Sequence, residues 1–582
     1  MLLFMTKFRI APTILVLLIT FISGCASQQS LESADTVGNA TSETPQNAAA
    51  PIEKASFRPS TLYALLVAEM AAHRGLPRVT LHNYLQEAKR TRDPGIVRRA
   101  VQLAGQLRDA NSLLKASLLW TEVEPTNPLP LRIATRELIR RGEADYALPL
   151  LEKALAQNSI EVVDALASRA QKMSEKERQS YLELLDRLLE SQPDEAHLLY
   201  AKASLVVYQQ QLDLALQLTK KALDSAPDFD RAVLLEADLQ SRTGHLDTAL
   251  GHLREELEQR DHKQMRTLYT RLLLEKKQYP LADQQGQLLT DKYPNDYNLQ
   301  FYLGVLTLEH SRLDSSEVYF RRLSDTIGNN SALSYYHGRI AQLRDQQEAA
   351  MEHYLQVKDA PYLLASFTEV SRMLGKSEDQ KRLASIFSQG RNRFTDASPA
   401  LYALEAAWLT ERSFDIQAML LLDQAITDHP DNTRLRYSRA MLGEKQGNME
   451  LLESDLRYVL RLEPDNATVL NALGYSLTDN TDRHTEALEL IEKALALKPD
   501  DPAILDSMGW AHYHLGNLSL AIQFLERAYK GFPDAEIAAH LGTVYWAVGD
   551  VEKARLIWEQ ALELDPDSQL IKDAISTIQK DI

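Results

Sequence analysis

The chain has 582 residues, of which 64 are lysine or arginine and 81 are aspartate or glutamate, so its formal net charge is −17. No basic stripe with interleaved aromatic residues occurs, which argues against nucleic acid as a ligand. Helix-forming residues dominate, only 22 glycines are present, and no stretch shows the period of two that a strand requires. The composition therefore predicts an all-helical protein.

Residues 1–24 are predicted to form a signal peptide, because two basic residues precede an apolar run that is too short to cross a membrane. Residues 22–25 read ISGC and resemble the lipobox of bacterial lipoproteins, in which the cysteine becomes the lipidated first residue. Cys25 is the only cysteine, and Ala26 after it implies, by that resemblance, sorting to the periplasmic face of the outer membrane of a Gram-negative bacterium. The alternative is an ordinary signal peptide followed by an incidental cysteine.

Residues 25–59 are rich in serine, threonine, alanine, asparagine and glutamine and have little apolar content. Such a segment cannot bury enough surface to fold, so we predict a flexible linker behind the lipidated terminus. Helical structure is expected to begin near Ser60, whose hydroxyl can cap a helix. We predict a repeat domain over residues 60–568 and a capping helix over residues 569–582.

Five prolines recur in the last third of the chain at spacings of 34, 35, 34 and 33 residues: Pro430, Pro464, Pro499, Pro533 and Pro566. Because proline cannot continue a helix, a fixed period of this length indicates repeated helix-turn-helix units. Each unit of such an array buries its apolar face only against its neighbours, which gives a solenoid. A solenoid offers a long concave surface for binding other proteins and no single deep pocket for catalysis.

Small residues recur at fixed positions inside each unit. Ala521 and Ala528 lie seven residues apart, on one helical face where two helices can approach closely, and Gly516 stands where the first helix should end. This order of Leu-Gly, aromatic, alanine and proline positions resembles the tetratricopeptide repeat (TPR) family. The resemblance implies an all-α superhelix of helix-turn-helix units.

The resemblance to TPR units varies along the chain. It is most specific in residues 467–568, good in residues 399–466 and 196–260, and moderate in residues 97–157. Between residues 261 and 398 it becomes weak, so the exact number of repeats stays open. The period and the length of the helical region together give roughly a dozen or more repeats.

The TPR resemblance also implies which residues line the concave groove, since fixed positions of each first helix face it. In the last three full units we assign to the groove Asn471, Tyr475, Asp506, Trp510, Tyr513, His514, Glu536 and Trp546. Aromatic residues at a groove are favoured anchors for a partner, because they bury a large area at a low entropic cost. The alternative is that Trp510, Tyr513 and Trp546 pack between helices of adjacent units and contact no partner.

A search for catalytic motifs finds no phosphate-binding glycine loop, no His-Glu-x-x-His helix and no Gly-x-Ser-x-Gly elbow. His512 and His514 are two positions apart and point to different sides of a helix, which argues against a shared metal ion. We therefore predict no catalytic residue, no cofactor and no metal. A hydrolase site assembled from distant repeats stays open as an alternative.

The order of lipobox, linker and TPR array resembles the outer-membrane lipoprotein adaptors, and more narrowly the lipoprotein family that binds the periplasmic carboxyl-terminal processing protease. Residues 62–94, with LLVAE at 65–69 and TRDP at 91–94, and residues 471–566 carry this resemblance. It implies a non-enzymatic adaptor that brings the serine protease to its substrates, commonly peptidoglycan hydrolases. The alternative is a TPR lipoprotein of an envelope export or assembly machine, for exopolysaccharide secretion or outer-membrane protein assembly.

Overall fold

Helices follow one another along the chain, joined by short loops. A computed structural model describes residues 58–580, in which 31 α-helices and five short 3-10 segments occur and no strand. The predicted all-α fold is thereby confirmed. In chain order the α-helices are α1 (Pro59–His73), α2 (Pro77–Thr91), α3 (Pro94–Gln106), α4 (Ala110–Val123), α5 (Pro128–Arg141), α6 (Ala144–Ala156), α7 (Ala165–Arg169), α8 (Glu175–Ser191), α9 (Ala196–Val206), α10 (Leu212–Ser225), α11 (Asp230–Arg242), α12 (Leu246–Gln259), α13 (Lys263–Glu275), α14 (Tyr279–Lys292), α15 (Tyr297–Glu309), α16 (Leu313–Ile327), α17 (Ser331–Leu343), α18 (Gln347–Leu355), α19 (Tyr362–Met373), α20 (Gln380–Arg393), α21 (Ser398–Glu411), α22 (Asp415–Asp428), α23 (Thr433–Lys445), α24 (Met449–Leu462), α25 (Ala467–Asn480), α26 (His484–Leu497), α27 (Pro502–His514), α28 (Leu518–Gly531), α29 (Ala535–Ala547), α30 (Val551–Leu564) and α31 (Gln569–Lys580).

The ends of these helices are fixed by short-range chemistry. Side chains cap the starts: the Asp501 carboxylate accepts a hydrogen bond from the backbone N–H of Ala503 at the start of α27, and Asn466 caps α25 in the same way. Gly516 and Gly549 follow the first helices α27 and α29 with φ of +78° and +86°. Only glycine adopts this conformation without strain, so these residues close one helix and let the chain reverse into the next.

Helices of a pair approach closely where small residues face each other. Ala521 and Ala528 on α28 are fully buried, as expected for residues at a helix crossing. A Cβ atom on Gly509 of α27 would come within 2.5 Å of Cγ of Leu525, so only glycine fits there. The equivalent contacts in the flanking pairs are Gly474 with Ile491 and Gly542 with Trp558.

The region with the weakest TPR pattern is helical as well. Helices α13 to α20 cover most of residues 263–393. Large rings fill the core of its second half: Tyr335 lies 5.7 Å from Tyr354 and 5.2 Å from Tyr362, and Phe367 lies 5.2 Å from Phe387, measured between ring centroids. Where rings take the place of leucine and alanine, the sequence pattern weakens although the helical pairing persists.

The chain forms two compact units, the first ending at Tyr319 and the second beginning at Phe320. The predicted signal peptide, Cys25 and all but the end of the predicted linker lie outside the described residues. Within residues 58–580, no helix combines the length and the apolar character that crossing a membrane requires. The candidate site lies in the second unit.

Candidate protein-binding site

The site is built on α25, α27 and α29, the first helices of three successive pairs, which lie side by side. Residues four positions apart share one face of a helix, so Asn471 and Tyr475 project from the same side of α25, and Asp506 and Trp510 from the same side of α27. Together with α23 these helices form what we call the acidic recess, which consists of Glu444, Tyr475, Asp479, Asp506 and Glu536.

A buried aspartate–histidine pair links α27 to α29. Nδ1 of His540 lies 3.0 and 3.1 Å from the two carboxylate oxygens of Asp506, and the residues are 8% and 5% exposed. Burial raises the pKa of Asp506, and the charge of Glu536 adds to this effect. Burial alone would lower the pKa of His540, but Asp506 and Glu536 outweigh it and raise that pKa. Each partner therefore depends on the other to remain charged.

Tyr475 lies at the centre of the acidic recess. Its hydroxyl donates a hydrogen bond to Oε1 of Glu536 at 2.9 Å, although the two residues are almost two repeats apart. Its ring lies 6.1 Å from the ring of His540. Burial raises the pKa of Tyr475 strongly, and the charges of Glu536, Asp479 and Asp506 raise it further. Three carboxylates from three helices thus act on one hydroxyl.

The indole of Trp510 is stacked between neighbouring rings. The rings of His540 and Tyr513 lie nearly parallel to it at 4.1 and 4.9 Å, and that of His514 meets it edge-on at 4.9 Å. Its Nε1 donates a hydrogen bond to Oδ1 of Asp479 at 3.3 Å. Trp510 remains half-buried. It therefore packs against an adjacent repeat and also forms part of the surface that a partner would meet.

Two further polar groups complete the surroundings. The hydroxyl of Ser476 donates a hydrogen bond to Glu444, whose pKa is raised by burial and by the charges of Asp479 and Glu536. Asn471 is only 3% exposed, and its Oδ1 receives no hydrogen bond from any described residue. A buried acceptor without a donor is unusual, because its desolvation is not compensated.

Carboxylates on the second helices of the same pairs contact arginines, whereas, among the residues described, Glu444 and Asp479 of the acidic recess do not. Glu453 and Glu486 each contact both Arg457 and Arg483 at 2.5 to 2.9 Å, and the hydrogen bonds from these arginines lower the pKa of both carboxyl groups. In the described part of the chain no lysine or arginine pairs with Glu444, Asp479 or Asp506. No described cationic side chain therefore pairs with Glu444 or Asp479, while Asp506 is paired with His540.

The chemistry available in the acidic recess is that of hydrogen-bond acceptance and attraction of positive charge. Among residues 58–580, no group of three or more histidine, cysteine, aspartate or glutamate side chains is arranged so that it could hold a metal ion. The exposed edges of the stacked rings add apolar surface beside the carboxylates. Such a surface is suited to recognising a polar segment of another protein.

Comparison with known proteins identifies the repeats. Family models described as tetratricopeptide repeat match residues 453–502, 484–536 and 535–568. The chain is also 33% identical over 495 residues to the TPR repeat-containing protein PA4667 of Pseudomonas aeruginosa, which covers 85% of this chain and 84% of that protein. This chain belongs to the tetratricopeptide repeat proteins. As a TPR protein it mediates contacts between proteins.

More distant similarities are found to other proteins. The protein O-mannosyl-transferase TMTC1 of Mus musculus is 27% identical over 159 residues, which covers 26% of this chain and 16% of that protein. Yeast Tom70 is 16% identical, with a TM-score of 0.33, over 72% of this chain and 96% of that chain. The Cut9–Hcn1 complex is 14% identical, with a TM-score of 0.32, over 89% of this chain and 96% of that chain. None of these three carries a functional argument.

Most of the groove residues assigned from TPR positions lie close together. Tyr475, Asp506 and Glu536 belong to the acidic recess, Asn471 shares a helical face with Tyr475, and Trp510 brings Tyr513 and His514 next to them. Trp546 contacts Trp558 of α30 instead, with the ring centroids 6.4 Å apart. The proposed lipidation site, Cys25, lies outside the described residues.

The sequence analysis did not single out three residues that matter here: His540, Asp479 and Glu444. His540 lies four positions after Glu536 on α29, so the helical period alone could have placed it on the same face. It also follows Asp506 by 34 residues, one TPR period. Asp479 lies four positions after Tyr475 on α25 and follows Glu444 by 35 residues, so the same two signals could have placed these residues as well.

Proposed function

We propose that this TPR protein is a non-enzymatic outer-membrane lipoprotein adaptor, which binds a periplasmic carboxyl-terminal processing protease and its substrates and so promotes their proteolysis. The substrates in this proposal are peptidoglycan hydrolases. The resemblance of residues 62–94 and 471–566 to the adaptor family directs the proposal to this protease.

The observation that supports binding is the acidic recess itself. Its residues come from four successive first helices, α23, α25, α27 and α29, so a ligand that contacts all of them follows the TPR array across more than one repeat. Its groups can hold a polypeptide by hydrogen bonds and charge, and the stacked rings around Trp510 supply rigid apolar surface.

The mechanism that this arrangement supports is proximity. A chain with many repeats has surface for more than one partner, and binding two partners at once makes their encounter intramolecular. The effective concentration of one partner near the other can then reach the millimolar range, by the general estimate for short flexible linkages. A lipid on Cys25 would restrict both partners to the membrane surface.

The anchor is tested by Cys25→Ala. Without the cysteine no lipid can be attached at this position, and stable anchoring through lipid needs more than one acyl chain or a second membrane-binding signal. We expect the variant to leave the membrane fraction and to appear among soluble periplasmic proteins after cell fractionation. Continued sedimentation of the variant with the outer membrane would contradict the anchor.

The partners are tested by a pull-down of the tagged chain from detergent-solubilised envelopes, analysed by mass spectrometry. Recovery of a carboxyl-terminal processing protease together with cell-wall hydrolases is expected. In a reconstituted reaction, the purified protease should cleave such a hydrolase faster when the TPR protein is present, and the TPR protein alone should cleave nothing. Recovery of export or outer-membrane assembly components in place of the protease would overturn the proposal in favour of the alternative.

A further inference from the structure

We propose that the acidic recess binds a lysine or arginine side chain in an extended segment of a partner polypeptide. This inference rests on the proposed function in one respect, which is that the chain binds a protein partner. The first support is charge: Glu444, Asp479 and Asp506 have no lysine or arginine partner in the described part of the chain, whereas Glu453 and Glu486 on the second helices have two arginines each. A basic side chain would relieve the repulsion among these carboxylates.

The second support is independent of charge. Asn471 lies one helical turn before Tyr475, on the face of α25 that meets Glu536 and His540. Its Oδ1 is buried and receives no hydrogen bond. The ammonium of lysine and the guanidinium of arginine are groups with several donors and no acceptor, so they supply what this oxygen lacks. The unpartnered oxygen therefore points to a ligand that brings N–H groups.

The third support is the pair of aromatic rings beside the carboxylates. Lysine and arginine carry apolar stems that pack on aromatic surfaces while the charged end remains hydrogen-bonded. Tyr475 and Trp510 provide such surfaces beside the carboxylates, and both are half-buried. Because His540 and Tyr513 stack against Trp510, and Glu536 holds Tyr475, these rings are already fixed before a ligand arrives.

Other segments of a partner fit the acidic recess less well. A free carboxyl terminus or an acidic peptide would add negative charge to a place where carboxylates already raise one another's pKa, as at Glu444. An apolar helix would bury Asp479 and Glu444 without offering them a donor, which costs free energy for each group. A basic side chain offers both donors and positive charge to Glu444 and Asp479.

The test is a titration by fluorescence anisotropy. A fluorescein-labelled tetralysine peptide, and the same peptide with its four ε-amines acetylated, are added to the full chain and to two double variants. Glu444→Gln/Asp479→Asn removes two charges from the acidic recess. Glu489→Gln/Glu492→Gln removes two charges from exposed positions on the second helix α26 and is the matched control. Circular dichroism melting curves check folding, and Asp479→Asn alone, at an exposed position, replaces the first variant if that variant unfolds.

We expect the affinity for tetralysine to fall about tenfold or more in the first variant, the usual result of losing a close charge pair, and to change less than about twofold in the control. The acetylated peptide should not bind. Equal losses in both double variants would show attraction to net charge only and would overturn the proposal, as would a wild-type chain that does not bind the peptide.

The peptide titration contains no protease, so it separates this inference from the proposed function. If tetralysine binds through the acidic recess but the envelope pull-down recovers no protease, the adaptor function fails and the inference stands. If the protease is recovered by a chain whose acidic recess does not bind tetralysine, the inference fails and the adaptor function stands.

Discussion

An aspartate–histidine pair joins neighbouring repeats in each of the two units. In the first unit, Nδ1 of His197 lies 2.9 and 3.1 Å from the carboxylate oxygens of Asp164, and in the second unit the distances from His540 to Asp506 are 3.0 and 3.1 Å. The partners are 33 and 34 residues apart, one repeat period. Asp506 lies on the helix α27, whereas Asp164 ends the 3-10 segment Ile160–Asp164, so the same pair forms in two different local structures.

The charged surroundings of the two pairs differ. Asp164 also accepts a hydrogen bond from Nη1 of Arg231 at 2.5 Å, and burial together with the charges of Arg132 and Arg231 lowers the pKa of Arg136 beside it. The first pair therefore lies among both guanidinium and carboxylate groups, since Glu195 and Glu161 also act on His197, and the carboxylate of Asp164 contacts two basic side chains.

Asp506 in the second pair has carboxylates as its other charged neighbours, Glu536 and Asp534, and both raise its pKa. The position within the repeat thus determines where a groove residue lies. The residue types at a few positions determine which charged groups surround the pair. Each unit can for this reason recognise a chemically different part of a partner.

The largest effect is expected for Asp506→Ala. It leaves His540 buried without a counter-charge, which typically costs about 3–5 kcal/mol. Asp164→Ala should cost less, about 1–2 kcal/mol, because the side chains of His197 and Arg231 are 27% and 50% exposed and water can solvate them. Hydrogen exchange of the helices around each pair measures the local opening free energy, with Asp506→Asn as the variant that keeps an acceptor. Equal losses in both units would show that the surroundings do not matter.

Overpacking should, in contrast, affect both units alike. Ala521 and Ala215 are fully buried at helix crossings, one in each unit, so leucine at either position forces the helices apart at a cost of about 1–3 kcal/mol. Urea denaturation followed by circular dichroism measures the loss, and Ser519→Leu, at an exposed position two residues before Ala521, is the control. An unchanged transition for Ala521→Leu would mean that this helix face does not pack as described.

The helical fold could be predicted from the sequence because its signals are local. Prolines at a fixed period, glycines such as Gly516 and Gly549 after first helices of the last units, and alanines such as Ala521 at the crossings each act through the nearest residues. The 3-10 segment Ile160–Asp164 has no such signal. It lies between α6 and α7, where the repeat pattern is interrupted, and its position depends on packing against several helices.

The candidate site could be predicted only in part, because some of its contacts join residues that are far apart in the sequence. The position of a residue within a repeat places Tyr475, Asp506 and Glu536 on one surface. Which side chains then meet depends on the rotation between neighbouring repeats, and a single-repeat pattern does not contain that rotation. The hydrogen bond from Tyr475 to Glu536 crosses almost two repeats and became visible only in three dimensions.

The dependence of stability on pH tests the Asp164–His197 pair of the first unit. The hydrogen bond that Nδ1 of His197 donates to the carboxylate of Asp164 raises the folded-state pKa of His197 above the unfolded value of about 6.5. The stability that this bond contributes is therefore complete below about pH 6.5 and is lost as the pH rises through the raised pKa. The difference in urea midpoint between the wild type and His197→Gln should shrink as the pH rises. A difference that grows with pH would mean that the neutral imidazole is the stabilised form.

The smallest effect on stability is expected for Arg231→Ala, which makes the first pair resemble the second by removing a guanidinium from Asp164. The Arg231 side chain is 50% exposed and Asp164 keeps its contact with His197, so we expect a loss of about 1 kcal/mol or less and a urea midpoint that hardly moves. The pKa of His197 should nevertheless rise, because a nearby positive charge is lost and Asp164 no longer divides its hydrogen bonds between two partners. Carbon-13 NMR of labelled histidine, assigned with His197→Gln, measures that pKa. A fall in the pKa would contradict this expectation. It would show that Arg231 holds Asp164 in position for His197, and that this positioning raises the pKa of His197 more than the positive charge of Arg231 lowers it.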